Sequence, residues 1–475
     1  MASALAAVLG IVLSIVVARS FSTEDTGLYF AATSVVFLVA AVARLGTSIG
    51  LVYWVARLRE LGRPDEVRHV LRVALRPVMA VSLLAAVAIL LAAPWLSEVL
   101  LDGSETGTQM LRLLALALPA VVVFDSLLGA TRGLGTMKPT ALLDRVARPT
   151  LQLMFTALAA LSGSILAVTA AWVLPYFLLV AVALWWTLRR VGQSTEVVEG
   201  LRREFWTFTW PRAITSVVQQ ARQRFDIVFV TAVSGPVEGA LYAVASRFLV
   251  VGQLTNSALA MAAQPQVASL SAAERRDAIG AVYRSTTTWI IVLNGPFYLG
   301  VAIFSPLLLS LFGPEYVSAW PVSVTLCLAA FIGNGSGMVD VMLSMTGRTN
   351  ATLANSLGAL VTQVVLLVAL VPTLGAVGAA LAWGASIVVI NAMSVVQLAR
   401  SDGIHPFETG TAYAVLGNAL AVALPAGLLA YTLGQTWLAF GLSVAVCAVS
   451  YVAFARMFRR QLHVPELMAA LRPSQ

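Results

Sequence analysis

The sequence predicts an all-α polytopic membrane protein, and three features of its composition and patterning support this fold class. The chain has 475 residues, of which 59% are apolar and only 11% are charged, and its mean hydropathy is +0.88. Soluble globular proteins carry about 25% charged residues, so an ordinary water-soluble enzyme is excluded. The apolar residues form blocks of about 20 residues, the length that a helix needs to cross a bilayer. Basic residues also concentrate in alternate loops, as in multi-pass membrane proteins.

Fourteen apolar blocks divide the chain, and each is predicted to be a transmembrane helix. No series of segments alternates with period two, which argues against a β-barrel. In chain order the blocks cover residues 1–18, 28–56, 77–100, 110–131, 140–162, 165–188, 207–232, 238–262, 284–311, 318–345, 350–371, 376–399, 410–433 and 435–457.

The basic residues predict the orientation of these helices. They cluster after the even-numbered helices, whereas the alternate loops hold only Arg19, with Arg112 just inside helix 4. Because positively charged loops remain in the cytoplasm, both termini are predicted to be cytoplasmic. The same rule explains the net charge of +8 without a nucleic-acid partner. The clusters comprise Arg57, Arg59, Arg63, Arg68, Arg72 and Arg76, then Arg132, Lys138, Arg145 and Arg148, then Arg189, Arg190, Arg202 and Arg203, then Arg275, Arg276 and Arg284, then Arg348, then Arg400, and finally Arg456, Arg459, Arg460 and Arg472.

An internal repeat with an offset of 212 residues predicts two parallel six-helix halves, helices 1–6 and 7–12, followed by two C-terminal helices. An even number of helices makes both copies enter the membrane from the same side, and such parallel repeats are typical of transporters. The landmarks that match at this offset are Gly27 with Gly239, Gly135–Thr140 with Gly347–Thr352, and Gly163 with Gly375. Trp172 and Trp383, which follow the last pair, are 211 residues apart. The predicted domains are an N-terminal lobe at 1–190, a cytoplasmic linker at 191–204, a second lobe at 205–400, helices 13 and 14 at 401–457 and a cytoplasmic tail at 458–475.

Several classes of enzyme are disfavoured. No predicted outside loop carries a carboxylate cluster, which argues against a membrane glycosyltransferase or polymerase. The sequence contains no GxxxxGK[ST] nucleotide-binding loop, so ATP hydrolysis is not expected. Cys327 and Cys447 lie in apolar blocks and the three histidines are scattered, so no metal site and no cofactor are predicted.

Four segments resemble a known family. The run Ala18–Tyr29 resembles the ARxLGPEDFGxY signature of Wzx-type lipid-linked oligosaccharide flippases, as do Phe225-Asp226, Gly239–Ala245 and Gly375 with Ala382-Trp383. These flippases belong to the multidrug/oligosaccharidyl-lipid/polysaccharide exporter (MOP) superfamily, and the order and spacing of the motifs cover essentially the whole chain.

The resemblance implies a multi-pass protein of the bacterial cytoplasmic membrane. Its expected substrate is an undecaprenyl-diphosphate oligosaccharide for cell-surface polysaccharide, moved from the inner to the outer leaflet by alternating access. Coupling to H⁺, Na⁺ or the membrane potential is expected, with membrane lipids, a polysaccharide polymerase and glycosyltransferases of the same pathway as partners. A multidrug and toxin efflux antiporter and a peptidoglycan lipid-precursor flippase are the alternatives, and a non-transporting membrane scaffold is a third.

Charged side chains within the apolar blocks are the main candidates for function, since each is unfavourable by roughly 2.5–3.5 kcal/mol at a helix centre. Arg44 lies near the middle of predicted helix 2, Arg222 and Arg224 near the middle of helix 7, and Arg247 in the outer half of helix 8. Helices 2 and 8 are repeat equivalents, so Arg44 and Arg247 are expected to face one cavity from opposite halves. Guanidinium groups suit the oxygens of a diphosphate. The alternative is that these arginines link helices or reach toward headgroups.

Two acidic residues are candidates for coupling, and three basic residues for a cytoplasmic mouth. Asp226 follows Arg222 by one helical turn, so the two are expected to pair on one face; Asp125 lies in helix 4. Either carboxylate is expected to release a paired arginine when it binds a proton or Na⁺. Asp226 is equally explained as a structural counter-ion. The mouth residues, Arg145, Arg148 and Arg212, would attract anionic headgroups, but topology alone also explains them.

Interruptions at matching places in the two halves predict hinges. Pro119 in helix 4 aligns near Gly333, and the run Gly333–Gly337 is expected to break helix 10, with Gly335 and Gly337 contributing. Corresponding interruptions point to regions that bend or bind, although membrane helices also tolerate Gly and Pro for structural reasons.

Overall fold

The computed structural model describes residues 2–191, 200–273, 275–346 and 348–462, and within these ranges the secondary structure is helical without a strand. Residues 192–199 of the predicted linker, residues 463–475 of the predicted tail and Gly347 of the repeat lie outside the described residues. The chain divides into two compact units, Met1–Ala243 and Val244–Gln475.

In the residues that the structure describes, the first unit has eight α-helices before the one at Pro236–Ala245. Serine side chains start three of them: Ser22, Ser104 and Ser164 each accept a hydrogen bond from a backbone N–H in the first turn, which satisfies a donor that the helix leaves open. The helices are α1 (Ala2–Ser20), α2 (Thr23–Ala43), α3 (Thr47–Glu60), α4 (Val67–Leu100), α5 (Glu105–Gly133), α6 (Arg148–Ala160), α7 (Ile165–Leu188) and α8 (Leu201–Ser234), with a π-helix at Thr140–Ala147 leading into α6.

Helix α5 forms the interior of the first unit. It packs against α2, α3, α4 and α7, and 78% of its most apolar stretch is buried, compared with 28% for the stretch that includes α4. A charged residue on α5 is therefore held among other helices of this unit.

The second unit contains several short or interrupted helices beside longer ones. It follows α9 (Pro236–Ala245), in which the boundary between the units falls. Its helices are α10 (Arg247–Ala272), α11 (Arg276–Ile303), α12 (Ser305–Leu309), α13 (Trp320–Asn334), α14 (Val339–Met345), α15 (Thr349–Asp402), α16 (Thr409–Asn418), α17 (Leu424–Leu433) and α18 (Trp437–Met457), with a π-helix at Ala419–Ala423 between α16 and α17.

Eleven helical segments of the described chain are long and apolar enough to cross a membrane. One of them, Asn350–Asp402, contains the non-helical residue Gly375, so two helices meet there. Every predicted apolar block falls on helical structure, but those at 140–162 and 207–232 are not among the eleven. The all-helical multi-pass fold is confirmed, while the count of fourteen and the cytoplasmic termini stay predictions.

The division into units differs from the domain boundaries expected from the repeat. The repeat assigns α8 to the second lobe, whereas α8 packs against α2, α3 and α4 within the first unit. Gly27 and Pro236 also contact each other within this unit, and a Cβ atom on Gly27 would collide with the Pro236 carbonyl oxygen. The lobes at 1–190 and 205–400 therefore stay a prediction from the repeat.

Two expectations about helix continuity require correction. Predicted helix 2 is two helices, because Leu45 and Gly46 adopt positive φ angles of 50° and 73°, which end α2. Arg44 consequently caps α2 and does not lie in the middle of a helix. The interruption expected at Pro119 is not found either, since α5 continues through it, and neighbouring helices allow membrane helices to tolerate proline. The role of Pro119 as a hinge stays a prediction.

Candidate functional site

The break between α2 and α3 places Arg44 beside α8. Gly46 has a left-handed conformation, and a Cβ atom there would lie 2.8 Å from the Ala213 nitrogen and 2.9 Å from the Thr209 carbonyl oxygen. Two turns later, the Tyr53 ring stacks on Phe208 with ring centroids 3.9 Å apart. Glycine at position 46 thus allows both the break and the close contact between α3 and α8.

Arg44 forms an ion pair with Asp125 of the central helix α5. The Arg44 Nη1 atom donates to the Asp125 Oδ2 atom at 2.7 Å, with side-chain exposures of 24% and 30%. The Arg44 Nε atom donates to the Ala40 carbonyl oxygen at 3.2 Å. Beside the pair, the Thr47 and Ser126 hydroxyls are 2.8 Å apart. The sequence predicted both charged residues, but not that they contact each other.

A polar pocket of about 200 Å³ opens beside Arg44 in the first unit. One wall comes from the α2–α3 break and the other from the middle of α8. The lining residues are Arg44, Gly46, Ser48, Ile49, Ser216, Gln219, Gln220 and Gln223.

A second charged cluster surrounds Arg148 at the start of α6. Its guanidinium donates to Asp144 at 3.0 Å and to the Gln152 side-chain oxygen at 3.2 Å, and it lies 5.8 Å from the centroid of the Tyr176 ring. Arg145 also pairs with Asp144, at 3.2 Å. The π-helix sets the spacing of these residues, and π-helical segments are frequent at functional sites.

Sequence reasoning missed two members of this cluster. Gln152 is buried and donates to the Trp172 carbonyl oxygen at 3.1 Å; Tyr176 is buried as well. A lone glutamine in an apolar block was the available signal for the first, and no sequence signal distinguished Tyr176 from other aromatic residues.

The charged residues of α8 lie in separate environments. Arg224 lies 5.0 Å from the centroid of the Phe37 ring, and Arg212 lies 3.6 Å from that of Phe208. Asp226 is buried and accepts a hydrogen bond from the Tyr242 hydroxyl at 2.5 Å. Tyr242 was not predicted as a partner, and the pairing of Asp226 with Arg222 stays a prediction.

The second unit contains the remaining predicted residues. Arg247 begins α10 in this unit. The helix containing Gly333 ends at Asn334 and resumes at Val339. Side chains stabilise the break: the Tyr283 hydroxyl donates to the Ser336 carbonyl oxygen at 2.7 Å and Asn391 donates to that of Gly333 at 3.2 Å. The role of these glycines as a hinge stays a prediction.

An apolar groove of about 390 Å³ also lies in the second unit, between α11, α17 and α18. The adjoining π-helix is stabilised from α18, where the Ser450 hydroxyl donates to the Ala421 carbonyl oxygen at 2.7 Å and the Cys447 thiol to that of Val422 at 3.5 Å. The residues that line the groove include Pro296, Phe297, Phe304, Phe440, Val444 and Val452.

In the described part of the chain no group of three or more His, Cys, Asp or Glu residues is placed to hold a metal ion. The polar groups that do come together are arginine–carboxylate pairs and amides. Such groups can bind phosphate oxygens and hydroxyl groups.

Comparison with known proteins gives a family match and similar folds. Residues 1–271 match the family described as "Polysaccharide biosynthesis protein", and no curated protein matches the sequence significantly. The structure is similar to the lipid II flippase MurJ in an inward closed conformation, with a TM-score of 0.79, 13% identity, and 97% of this chain and 98% of that chain covered. It is also similar to an inward-facing multidrug resistance MATE family transporter of the MOP superfamily, with a TM-score of 0.66, 17% identity, and 83% and 95% covered. A MOP superfamily transporter from Pyrococcus furiosus has a TM-score of 0.58 at 15% identity, with 88% and 94% covered.

Proposed function

Because the chain belongs to the polysaccharide biosynthesis protein family, we propose that it is a flippase for a polyprenyl-diphosphate-linked oligosaccharide. The predicted resemblance to the MOP superfamily is confirmed by the family match and by the fold. The proposed reaction moves the substrate from the inner to the outer leaflet of a bacterial cytoplasmic membrane by alternating access. Glycosyltransferases and a polysaccharide polymerase of the same pathway are the proposed partners.

The Arg44–Asp125 pair beside a polar pocket is the observation that carries this proposal. A diphosphate is a multiply charged anion, and the fork of a guanidinium group can donate two parallel hydrogen bonds to its oxygens. Asp125 balances the charge of Arg44 in the structure. A phosphate that replaces the carboxylate keeps the guanidinium paired throughout, which avoids leaving a lone charge within the membrane.

Asp125 is in addition the stronger of the two candidates for coupling. Protonation of its carboxylate, or Na⁺ binding to it, would release Arg44 for the substrate. Asp226 contacts Tyr242. A proton or Na⁺ bound to Asp226 would therefore act on α9 and not directly on Arg44. Arg222, Arg224 and Arg247 remain proposed substrate ligands, and Arg145, Arg148 and Arg212 proposed mouth residues.

The polyprenyl chain also needs an apolar surface. We assign it to the groove between α11, α17 and α18, because its lining is almost entirely apolar and its 390 Å³ accommodates part of a lipid chain. This assignment explains why two helices follow the predicted repeat.

A test of the proposal replaces Arg44. Arg44→Ala should abolish complementation of a glycan-export defect at near-normal protein levels, because the lost charge-assisted hydrogen bonds contribute roughly 1.5–3 kcal/mol. Arg44→Lys should restore only part of the activity, since an ammonium group lacks the planar fork. Arg63→Ala is the matched control, because Arg63 is exposed and pairs with Glu66 of the same segment.

The same variants separate the alternatives. Full glycan export by Arg44→Ala would contradict the assignment of Arg44. If the substrate were a cationic drug, removing this positive charge would leave efflux intact or raise it. Lipid II is a second candidate substrate, favoured by the extent of the structural similarity to MurJ; rescue of cells depleted of their lipid II flippase would identify it.

A further inference from the structure

The pocket beside Arg44 has features of a carbohydrate site. We propose that Gln219, Gln220 and Gln223 bind the uncharged sugar that is attached directly to the diphosphate, while Arg44 binds the neighbouring phosphate. This inference rests on the proposed function and adds a ligand class and three specific residues to it.

The three amides share one face of α8. Gln219 and Gln223 are one helical turn apart, Gln220 lies between them, and Ser216 precedes them by one turn. The face below them is closed, since Thr209 and Ala213 pack against Gly46. The pocket therefore begins where α8 leaves its close contact with α3.

The amides are also accessible. Gln219 and Gln223 are exposed and Gln220 is half-buried, and none of the three has a hydrogen-bond partner within the described part of the chain. α8 is predicted from its sequence to be a membrane helix, and polar groups near the middle of such a helix face a protein interior or a water-filled cavity, because lipid cannot satisfy them. Three neighbouring amides without protein partners are thus available to a polar ligand.

The chemistry of the lining selects a neutral sugar. Each amide both donates and accepts hydrogen bonds, as do sugar hydroxyl groups. Arg44 is the one charged residue of the lining, and in the proposed complex it pairs with the phosphate, so the lining offers no second cation to an acidic sugar. The volume of about 200 Å³ is below the roughly 300–1,000 Å³ of pockets for drug-sized ligands, which suits a single ring.

Binding measurements on the full chain in nanodiscs test the inference. The two probes are undecaprenyl diphosphate and undecaprenyl diphosphate carrying one N-acetylhexosamine. The wild-type protein should bind the sugar-bearing probe roughly threefold to tenfold more tightly, the range expected for one net hydrogen bond or slightly more. Gln219→Ala/Gln223→Ala should bind both probes equally, with unchanged affinity for undecaprenyl diphosphate.

Gln109→Ala is the matched control, because Gln109 is outside the pocket and bonds to Glu105 on the surface of α5. It should keep the wild-type preference. A preference that survives in the double variant, or equal wild-type affinity for both probes, overturns the sugar site while leaving the proposed function intact. A wild-type protein that binds neither probe overturns the proposed function and the sugar site together.

Discussion

Gly46 shows how one residue determines the geometry of the candidate site. Its φ angle of 73° ends α2, and its lack of a side chain lets α3 approach the backbone of α8 at Ala213. Arg44 is then the C-cap residue of α2, and from this position its side chain reaches Asp125. The position of the guanidinium therefore depends on a residue that carries no polar side chain.

Replacement of this glycine should be damaging. Gly46→Ala is expected to destabilise the protein by at least about 1–2 kcal/mol, the penalty for a left-handed conformation with a Cβ atom, and the contact with Ala213 adds to it. Thermal unfolding in detergent and complementation of a glycan-export defect would both measure the loss. Gly10→Ala serves as the control: Gly10 is helical with open space around it, so its variant should be as stable as the wild-type protein or slightly more so. Equal stability of the two variants would contradict the role of Gly46.

At the scale of single elements, the two π-helices mark places where α-helical hydrogen bonding changes. The one at Thr140–Ala147 precedes Arg148, and the one at Ala419–Ala423 borders the apolar groove. A π-helix shifts backbone hydrogen bonds, and carbonyl groups then become available to neighbouring side chains. Ser450 and Cys447 bond to two of these carbonyl oxygens.

Removing one of these partners should weaken the groove. Ser450→Ala is expected to lower the stability by about 1 kcal/mol, because the Ala421 carbonyl oxygen loses its hydrogen bond from α18. The change would appear as a lower midpoint of thermal unfolding. Ser257→Ala provides the comparison, since the exposed Ser257 bonds to the Gln253 carbonyl oxygen of its own helix and its replacement should have little effect. A similar midpoint for both variants would show that α18 does not stabilise this π-helix.

At the scale of the whole molecule, the length of the apolar blocks and the charge of the loops predicted the helices. A membrane helix needs only a continuous run of apolar residues, and such a run is visible in the local sequence. The break after Arg44 was not predicted. Leu45 adopts a positive φ angle, which is uncommon for a residue with a side chain, so the sequence gives no sign of it. Pairs such as Asp226 with Tyr242 depend on packing between helices, which periodicity does not encode. The repeat likewise could not predict that α8 packs within the first unit, because matching landmarks report ancestry and not contacts.

The predicted orientation can be measured by labelling single cysteines. Cysteines at Gly62 and Gly403 should react from the cytoplasmic side, and one at Gly103 from the outside, because loop charge places these turns there. Cys327 is buried and Cys447 partly buried, so both are first replaced by serine. Labelling of any of the three turns from the opposite side would contradict the fourteen-helix assignment.

The Arg44–Asp125 pair has a further consequence for electrical work during the proposed transport cycle. Moving one uncompensated elementary charge across the membrane changes its electrostatic free energy by about 2.3 kcal/mol per 100 mV of membrane potential. Because the pair is neutral as a unit, the return of the empty carrier should move no net charge at this site, and only the loaded step should be electrogenic. Asp125→Asn leaves Arg44 unbalanced, so proteoliposomes on a solid-supported membrane should give a substrate-free displacement current with this variant and not with the wild-type protein. Identical substrate-free currents from the two proteins would mean that the carboxylate does not balance Arg44 during the return, and the direction of transport would then have to depend on charges elsewhere in the chain.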